Sequence, residues 1–543
     1  MSDATSSAQL GSQICLVSNR SCHYPLAVIP LRDRRMMQKN ALPPGQQAPW
    51  AFVQPQSAII DPFDTLPVKT PFRSRELYHY FYQTGAAFSV APPDPKNDCI
   101  TLATLDEHAL RSTFLIAAVH YSWNTGNLQA YEAAYLFHKV ESIRLINNWL
   151  AAYDANRFVV CVRQILTICL AEACLGNIPA AETHLDGVMA LFDSHDAMVD
   201  STMHGTVSDI PLDRELADHY LFLTSCFVLT LKSRLGDFIM YRATQGLNTD
   251  TNNNDSSPDQ AIKLYQKWHG MEHGGLETRL KAMRLFPYFF TPPPPNIPRS
   301  KKIVVDAVPI IACLVDITET LDQARASKAP PSETMHRVWN DGGLTRLLLV
   351  LVTSHVDCFV ADYEQGFSQN EDRRTRTSWG GISAAAELYM HGMLGVVNNG
   401  KRIECRLLYR ILCILQRDVE ETRCDIFVLT DKHGLLRSLW LWKVFMGIMA
   451  IARSQHACEL VPPRSTATAD PDPRARCSCS NLCQERLQSA YDWFLNCARS
   501  WSMASGMTAW EDVESVLAEI VWPRVLHGQE RQFAAGLWDR VLL

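Results

Sequence analysis

FVVCVRQILTICLAEACLGNIPAAETHLDGVMALF, residues 158–192, holds two helices and the turn between them. Its first half is apolar almost all round, so that helix is expected to sit centrally in the packing. Gly176 stands where the run ends, and without a Cβ it can take the left-handed stop conformation at little steric cost. Asn177 offers a cap for the next helix, and Pro179 suits that helix's first turn. The stretch predicts an antiparallel helix pair closed by a short turn.

Outward from this pair the same texture continues. Leu77, Tyr80 and Phe81, then Leu110, Phe114, Ala117 and Ala118, then Tyr131, Tyr135, His138 and Ser142 recur at spacings of three and four, the mark of one buried helical face. Strand-like alternation bounded by hairpin turns is nearly absent, and no βαβ rhythm or fixed-period repeat is visible. The expected fold class is all-α and multi-helical. Because 543 residues exceed one compact core, antiparallel helix pairs are expected to pack into one extended array or two lobes.

Residues 1–60 carry Pro25, Pro30, Pro43, Pro44, Pro49 and Pro55 with few periodic segments, and read as a largely disordered tail. Arg32, Arg34, Arg35 and Lys39 form a small basic cluster there, a nuclear-import signal or phosphate contact against the commoner solvated tail. Residues 61–543 read as the helical domain, with surface loops near 245–260, 291–302, 368–378 and 461–480.

Hydrophobic residues make up 47% and charged residues 20%, which fits a folded chain rather than a disordered one. The net charge is −6, with pI near 6.3. Chains that grip duplex DNA through phosphates usually present a net basic face, so this one does not read as such a binder. The opening MSDATSSAQLGSQ is polar, unlike a secretory signal. The 17 cysteines are scattered, as in the run with Cys161, Cys169 and Cys174 and that with Cys405, Cys413 and Cys424. Buried free thiols in a reducing compartment are expected. The apolar stretches Leu344–Val360 and Leu439–Ala452 are broken by Arg346, His355 and Asp357 and by Lys443. They fall short of the roughly 20 apolar residues a spanning helix needs and read as core helices, with no membrane partner.

Chemistry-bearing signatures are missing. There is no GxGxxG behind a strand, no GxxxxGK[ST], no HExxH and no GxSxG. Gly380-Gly381-Ile382-Ser383 is superficially elbow-like, but Ala384 and Ala385 follow and no strand is read before it. It is expected to open the helix SAAAELYMHGML. His184 is expected to be a packing histidine. A binuclear zinc cluster needs six thiolates as CxxCx6C twice. Cys15 and Cys22 have the x6 spacing, yet position 12 is Ser and no second triplet follows. Cys477, Cys479, Cys483 and Cys497 follow no zinc-site spacing we can justify. No catalytic, cofactor-binding or metal-ligating residue is assigned, and the chain is not expected to be an enzyme.

Four blocks in one order resemble the fungal-specific transcription factor domain, the helical regulatory domain found downstream of zinc clusters in fungal regulators. They are VQPQSAIIDPFDTLPV (53–68), QILTICLAEACLGNIPAAETHLDGVMALFD (164–193), LRSLWLWKVFMGIMA (436–450), and TAWEDVESVLAEIVWPRVLHGQ with LWDRVL (508–529 and 537–542). Within them Trp440, Trp442, Trp510, Trp522 and Trp538 are expected to bury large rings, and Gly176 and Gly447 to permit a turn or a close helix approach. The resemblance implies a nuclear regulator of RNA polymerase II transcription, of the kind that often serves secondary-metabolite gene clusters. It implies partners in the transcription machinery or a zinc-cluster factor, self-association as a homodimer, and response to a small-molecule effector. The chain departs from the family at the missing zinc cluster, so DNA is expected to be reached indirectly or weakly. A co-regulator, a partner-dependent factor and a shortened product all fit that departure.

Two other readings stand beside this one. A helical interaction scaffold unrelated to transcription would use the 158–192 pair as one repeat-like unit, though stacked arrays need about three. A metabolic enzyme would need an apolar pocket between helices lined by paired carboxylates or a His–carboxylate pair.

Overall fold

The computed structural model describes residues 66–87, 106–151, 157–202, 212–244, 275–290, 302–327, 338, 342–360, 376–396, 403–428, 434–459, 481–526 and 528–543. Outside them lie the tail 1–60 with its basic cluster, Cys15 and Cys22, most of the 53–68 block, Cys477 and Cys479, and the loops 245–260, 291–301, 368–375 and 461–480.

The quoted stretch forms the expected pair. Helix α4 (Phe158–Cys174) and α5 (Ile178–Thr202) flank Gly176, whose φ is +86°. The Gly176 N–H donates to Ala173 O and the Asn177 N–H to Glu172 O, the two bonds of a Schellman stop. The Asn177 carbonyl then accepts from Ala181, opening α5. Its side chain does something the sequence did not indicate, donating at 2.7 Å to the Glu172 carboxylate. Glu172 also accepts from the Tyr135 hydroxyl at 3.0 Å and pairs with Lys139. The turn is thereby anchored to α3 (Glu132–Ala151) through a buried acid.

Around this pair stand α1 (Ser74–Ala87), α2 (Glu107–Thr125), α6 (Leu212–Thr244) and α7 (Gly275–Phe290). α2 starts where the Asp106 carboxylate accepts the His108 N–H at 2.9 Å, and stops at Gly126 with φ +84°. α2 packs on α1, α3, α4 and α7, and α4 packs on α5 and α6. The chain continues through α8 (Val308–Ala326), α9 (Gly343–Val360), α10 (Trp379–Leu388, prolonged by a π turn to Leu394), α11 (Cys405–Val428), α12 (Gly434–Glu459), α13 (Asn481–Ser505), α14 (Trp510–Ala518) and α15 (Gly528–Leu542). The fold is all-α: fifteen α-helices stand among the described residues.

All described residues belong to one unit, Phe63–Leu543. One apolar core runs from Leu77 in α1 to Val541 in α15, so the described helices form a single body rather than two lobes. The other departure is a short ribbon. β1 (Val304–Asp306) pairs antiparallel with β2 (Arg376–Ser378), Val305 opposite Thr377. Residues 376–378, expected in a surface loop, are thus strand, and Thr377 is buried. Three residues per strand are too few to show alternation in sequence.

α12 contains the 436–450 block. It is long and apolar enough to cross a membrane by length and composition, but most of it is packed inside the protein. Above it the 508–542 block closes. Trp442 Nε1 donates to Val521 O at 2.9 Å, and Phe445 meets Trp510 and Trp522 at 5.6 and 5.8 Å. Trp538 Nε1 donates to Thr508 O at 3.0 Å. A Cβ at Gly447 would lie within 2.9 Å of the Phe494 ring, so α13 approaches α12 through the missing side chain.

Candidate functional site

Ribbon and helix meet where α6, α9, α10, α11 and α12 converge, and the polar centre of the protein lies there. Ser378 caps α10 by accepting the Gly381 N–H at 2.9 Å. Trp379 is fixed at both ends, its N–H on Ile303 O at 2.9 Å and its indole N–H on Leu351 O at 2.8 Å. Gly380 and Gly381 follow because nothing larger fits. A Cβ on Gly380 would lie 2.8 Å from His219 Nε2, and one on Gly381 would lie 2.1 Å from Asp418 Cγ.

On the Gly380 side, His219 of α6 and His355 of α9 share a hydrogen bond, Nδ1 to Nε2, at 3.3 Å. Both are buried, and Trp379 contacts each ring, with centroids at 4.5 and 4.9 Å. Phe289 lies 4.3 Å from His355. Glu215, one turn before His219, places Oε1 3.8 Å from His219 Nε2, beyond hydrogen-bond reach. Burial lowers His355 to about 3. Burial, and then the neighbouring His355 and Arg417, push His219 well below its ordinary value. Burial raises Glu215 to about 7 against the Ile303 N–H and Arg417, which act the other way. At neutral pH the pair is two uncharged imidazoles in an aromatic box.

On the Gly381 side, Lys443 Nζ meets Asp418 Oδ2 at 2.5 Å and also Thr377 Oγ1. Asp418 Oδ1 has no partner. Both charged side chains are almost wholly out of solvent, so each depends on the other for its place in the core.

A third polar group joins α5, α6 and α11 nearer the surface. Asp193 accepts from Arg406 at 2.6 Å and from Arg410 at 2.9 Å. Asp196 pairs with Arg410 at 2.5 Å and Arg214 at 2.7 Å. Asp218 pairs with Arg417 at 3.0 Å. Arg214 and Arg410 also lie over the Phe192 ring, 4.6 and 5.1 Å from its centroid. Burial alone would raise the Asp196 carboxyl. Hydrogen bonding from His195 and the charges of Arg214 and Arg410 outweigh it and hold the group well below the usual carboxylate range.

Among the described residues, these groups pair charge between helices of the core. Burial lifts the Cys161 thiol to about 11 and the Cys497 thiol to about 12, keeping both protonated and unreactive. The strand expected to be missing before Gly380-Gly381-Ile382-Ser383 is present as β2, yet the segment is no nucleophile elbow. Ser383 lies inside α10, buried, with its hydroxyl unpartnered. His184 is half-buried near Glu172 and Lys139; burial is the main cause of its lowered pKa. Cys483 and Cys497 are both buried on α13, fourteen residues and so about 21 Å apart, too far to share one ion. No group of metal-ligating side chains occurs among the described residues.

In the sequence the residues of the polar centre have no shared role: Gly380 and Gly381 read as a helix start, and His355 as an interruption of an apolar run. Lys443 was visible as the charge interrupting an apolar run. Asp418 on the preceding helix carried no such signal, and neither did the pairing of His219 with a histidine 136 residues away.

No protein-family model, no curated protein and no solved structure matches this chain.

Proposed function

We propose that the chain is a nuclear regulator of RNA polymerase II transcription that works through its helical domain. The observation that carries this is the joining of separated sequence blocks into one body. Residues 164–193 form the α4–α5 pair, 436–450 the centre of α12, and 508–542 the helices closing over α12, all in one core. The three described blocks, the first more than 200 residues before the second, pack as one unit, as a single regulatory domain requires. The buried polar centre fits the same reading, since it fixes helix positions and offers no catalytic constellation.

DNA is reached through a partner. The Cys15–x6–Cys22 pair lacks the four further thiolates a binuclear cluster takes, and the chain is acidic. A zinc-bearing factor is the partner class that would supply the missing reader, and a metabolite gene cluster is the target class. The test is a tagged chain followed by microscopy and chromatin capture, with transcript profiling after its deletion. Nuclear enrichment and a coherent set of changed transcripts are expected. A chain confined to the cytoplasm under every growth condition, or unchanged transcripts, overturns the proposal. Total zinc in the purified protein should fall below one ion per chain, whereas about two would restore direct DNA binding.

A further inference from the structure

The first turns of α11 and α13 meet at a pair of cysteines. Cys405 is the first residue of α11 and Cys483 the third of α13, and the two helices pack on each other. The two thiols share a hydrogen bond. Cys405 is 2% exposed and Cys483 9%, so the pair lies at the edge of the core with Cys483 outermost. Other buried thiols are turned to backbone carbonyls: Cys169 Sγ donates to Ala181 O and Cys358 Sγ to Val304 O, each at 3.2 Å. Here sulfur faces sulfur, from helices separated in sequence by the whole of α12.

The neighbours of the pair are held in place. Glu404 caps α11, its carboxylate accepting the Leu407 N–H at 2.9 Å. Arg406 donates to Asp193 of α5 at 2.6 Å, and Arg486 of α13 lies over the Tyr409 ring of α11, 5.6 Å from its centroid. Burial pushes the Cys483 thiol up and Glu404 adds to the effect, while Arg486, Arg406 and the hydrogen bond from Cys405 act the other way. Both cysteines also stand in a first helical turn, where the backbone N–H groups favour a thiolate.

We propose that Cys405 and Cys483 form an oxidation site, joined by a peroxide into a reversible disulfide that ties the start of α11 to the start of α13. The Cys483 sulfur, the more exposed, attacks one oxygen of hydrogen peroxide. The O–O bond breaks, water leaves, and Cys483 becomes a sulfenic acid. The Cys405 sulfur then attacks that sulfur, the S–O bond breaks, and a second water leaves. The two thiol protons end in the two waters, and two electrons pass from the sulfurs to the peroxide. A dithiol reductant reverses the bond and leaves as its own disulfide. Thiols already in hydrogen-bond contact need side-chain rotation, not helix movement, to join. The bond closes a loop holding most of α11 and all of α12, so the oxidised chain should be harder to unfold. This inference stands apart from the transcriptional reading, because it rests on the two thiols alone.

Hydrogen peroxide treatment of the full chain, purified under reductant, tests it. Digestion without reductant should yield a peptide pair joining Cys405 to Cys483, absent after dithiothreitol. The urea midpoint should rise on oxidation and return on reduction. Removing the second thiol exposes the first step. Cys405→Ser should trap Cys483 as the sulfenic acid, with roughly tenfold more dimedone adduct there than in the parent chain, and should abolish the rise in midpoint. The peptide pair is read on the parent chain, so the test does not depend on how the variant folds. An oxidised chain with no such pair, Cys483 bonded to Cys477 or Cys479 instead, or an equal rise in midpoint in Cys405→Ser would overturn the proposal.

Discussion

Helices α3 and α12 are both apolar around most of their circumference, and the protein surrounds them differently. Every residue of α12 from Leu439 to Met449 is buried, Gly447 included, and the missing side chain of Gly447 admits Phe494. α10, α11, α13, α14 and α15 pack around it. α3 is packed on one side by α2 and α4, while Leu136, Val140 and Leu150 on the other side face solvent. Weak amphipathicity therefore has two meanings: a helix enclosed by its own chain, or a helix packed on one side and open to solvent on the other. The charged residues separate the cases. Within its buried stretch α12 carries Lys443, and the fold supplies Asp418 and Thr377 for it. On the outer face of α3, Arg144 is largely exposed and pairs locally with Glu141.

The strongest way to break the comparison is to remove that compensation. Lys443→Met should destabilise the protein by about 3–5 kcal/mol, because Asp418 would be left in the core with no cation beside it. Adding Asp418→Leu should recover most of the loss, since two well-packed apolar residues often serve as well as a buried ion pair. Urea unfolding of the single and double variants measures both. If Lys443→Met leaves the midpoint unchanged, the α12 interior is not the dry environment described.

How much of this was legible follows from how far each feature reaches along the chain. The α4–α5 turn was readable because Gly176, Asn177 and Pro179 are adjacent and each acts locally. The inner face of α3 was readable because Tyr131, Tyr135, His138 and Ser142 repeat at helical spacing. Its outer face was equally present in Leu136, Val140 and Leu150, but a second apolar stripe on a helix carries no label of inside or outside. The β1–β2 ribbon could not be read, since each strand has three residues and its partner is about seventy residues away. The polar centre could not be read either. His219 and His355, or Asp418 and Lys443, become a site only when helices far apart in sequence are packed together.

A smaller effect is expected from pH, and it divides the two regions again. Burial lowers His120, His138 and His355 to about 3, and lowers His219 well below its ordinary value. Arg284 adds to the effect at His120 and Arg111 at His138. Each of these groups binds a proton more readily unfolded than folded. Their contribution is therefore present above about pH 6.5 and is lost as pH falls toward 3. Glu215 and Glu387 act in the opposite direction. Burial raises both to about 7, so the folded state holds their protons where the unfolded chain has released them. The lowered histidines outnumber the raised glutamates, so near pH 5 the unfolded chain binds more protons than the folded one. Stability should then fall on acidification from pH 7 toward pH 4.5. Melts from pH 7 to pH 4.5 test the sign. His120→Leu, which replaces a ring with both nitrogens unpartnered, should make the dependence shallower. A flat or inverted profile would mean the glutamates dominate.

The smallest effect belongs to α3, and a matched pair of substitutions isolates it. Leu136→Gln and Leu441→Gln make the same chemical change on two apolar helices, and leucine and glutamine differ little in helix propensity. At position 441 the amide would be buried without a partner and the leucine's packing lost, a change of several kcal/mol. At position 136 the side chain is 47% exposed, the amide stays in water, and the change should remain within about 0.5 kcal/mol. Both are measured by urea unfolding of dilute protein, where association contributes least. A loss at Leu136 approaching that at Leu441 would mean the outer face of α3 is already covered by its own chain. The near-neutral result would leave the outer face of α3 unused by folding, in contrast to the enclosed face of α12.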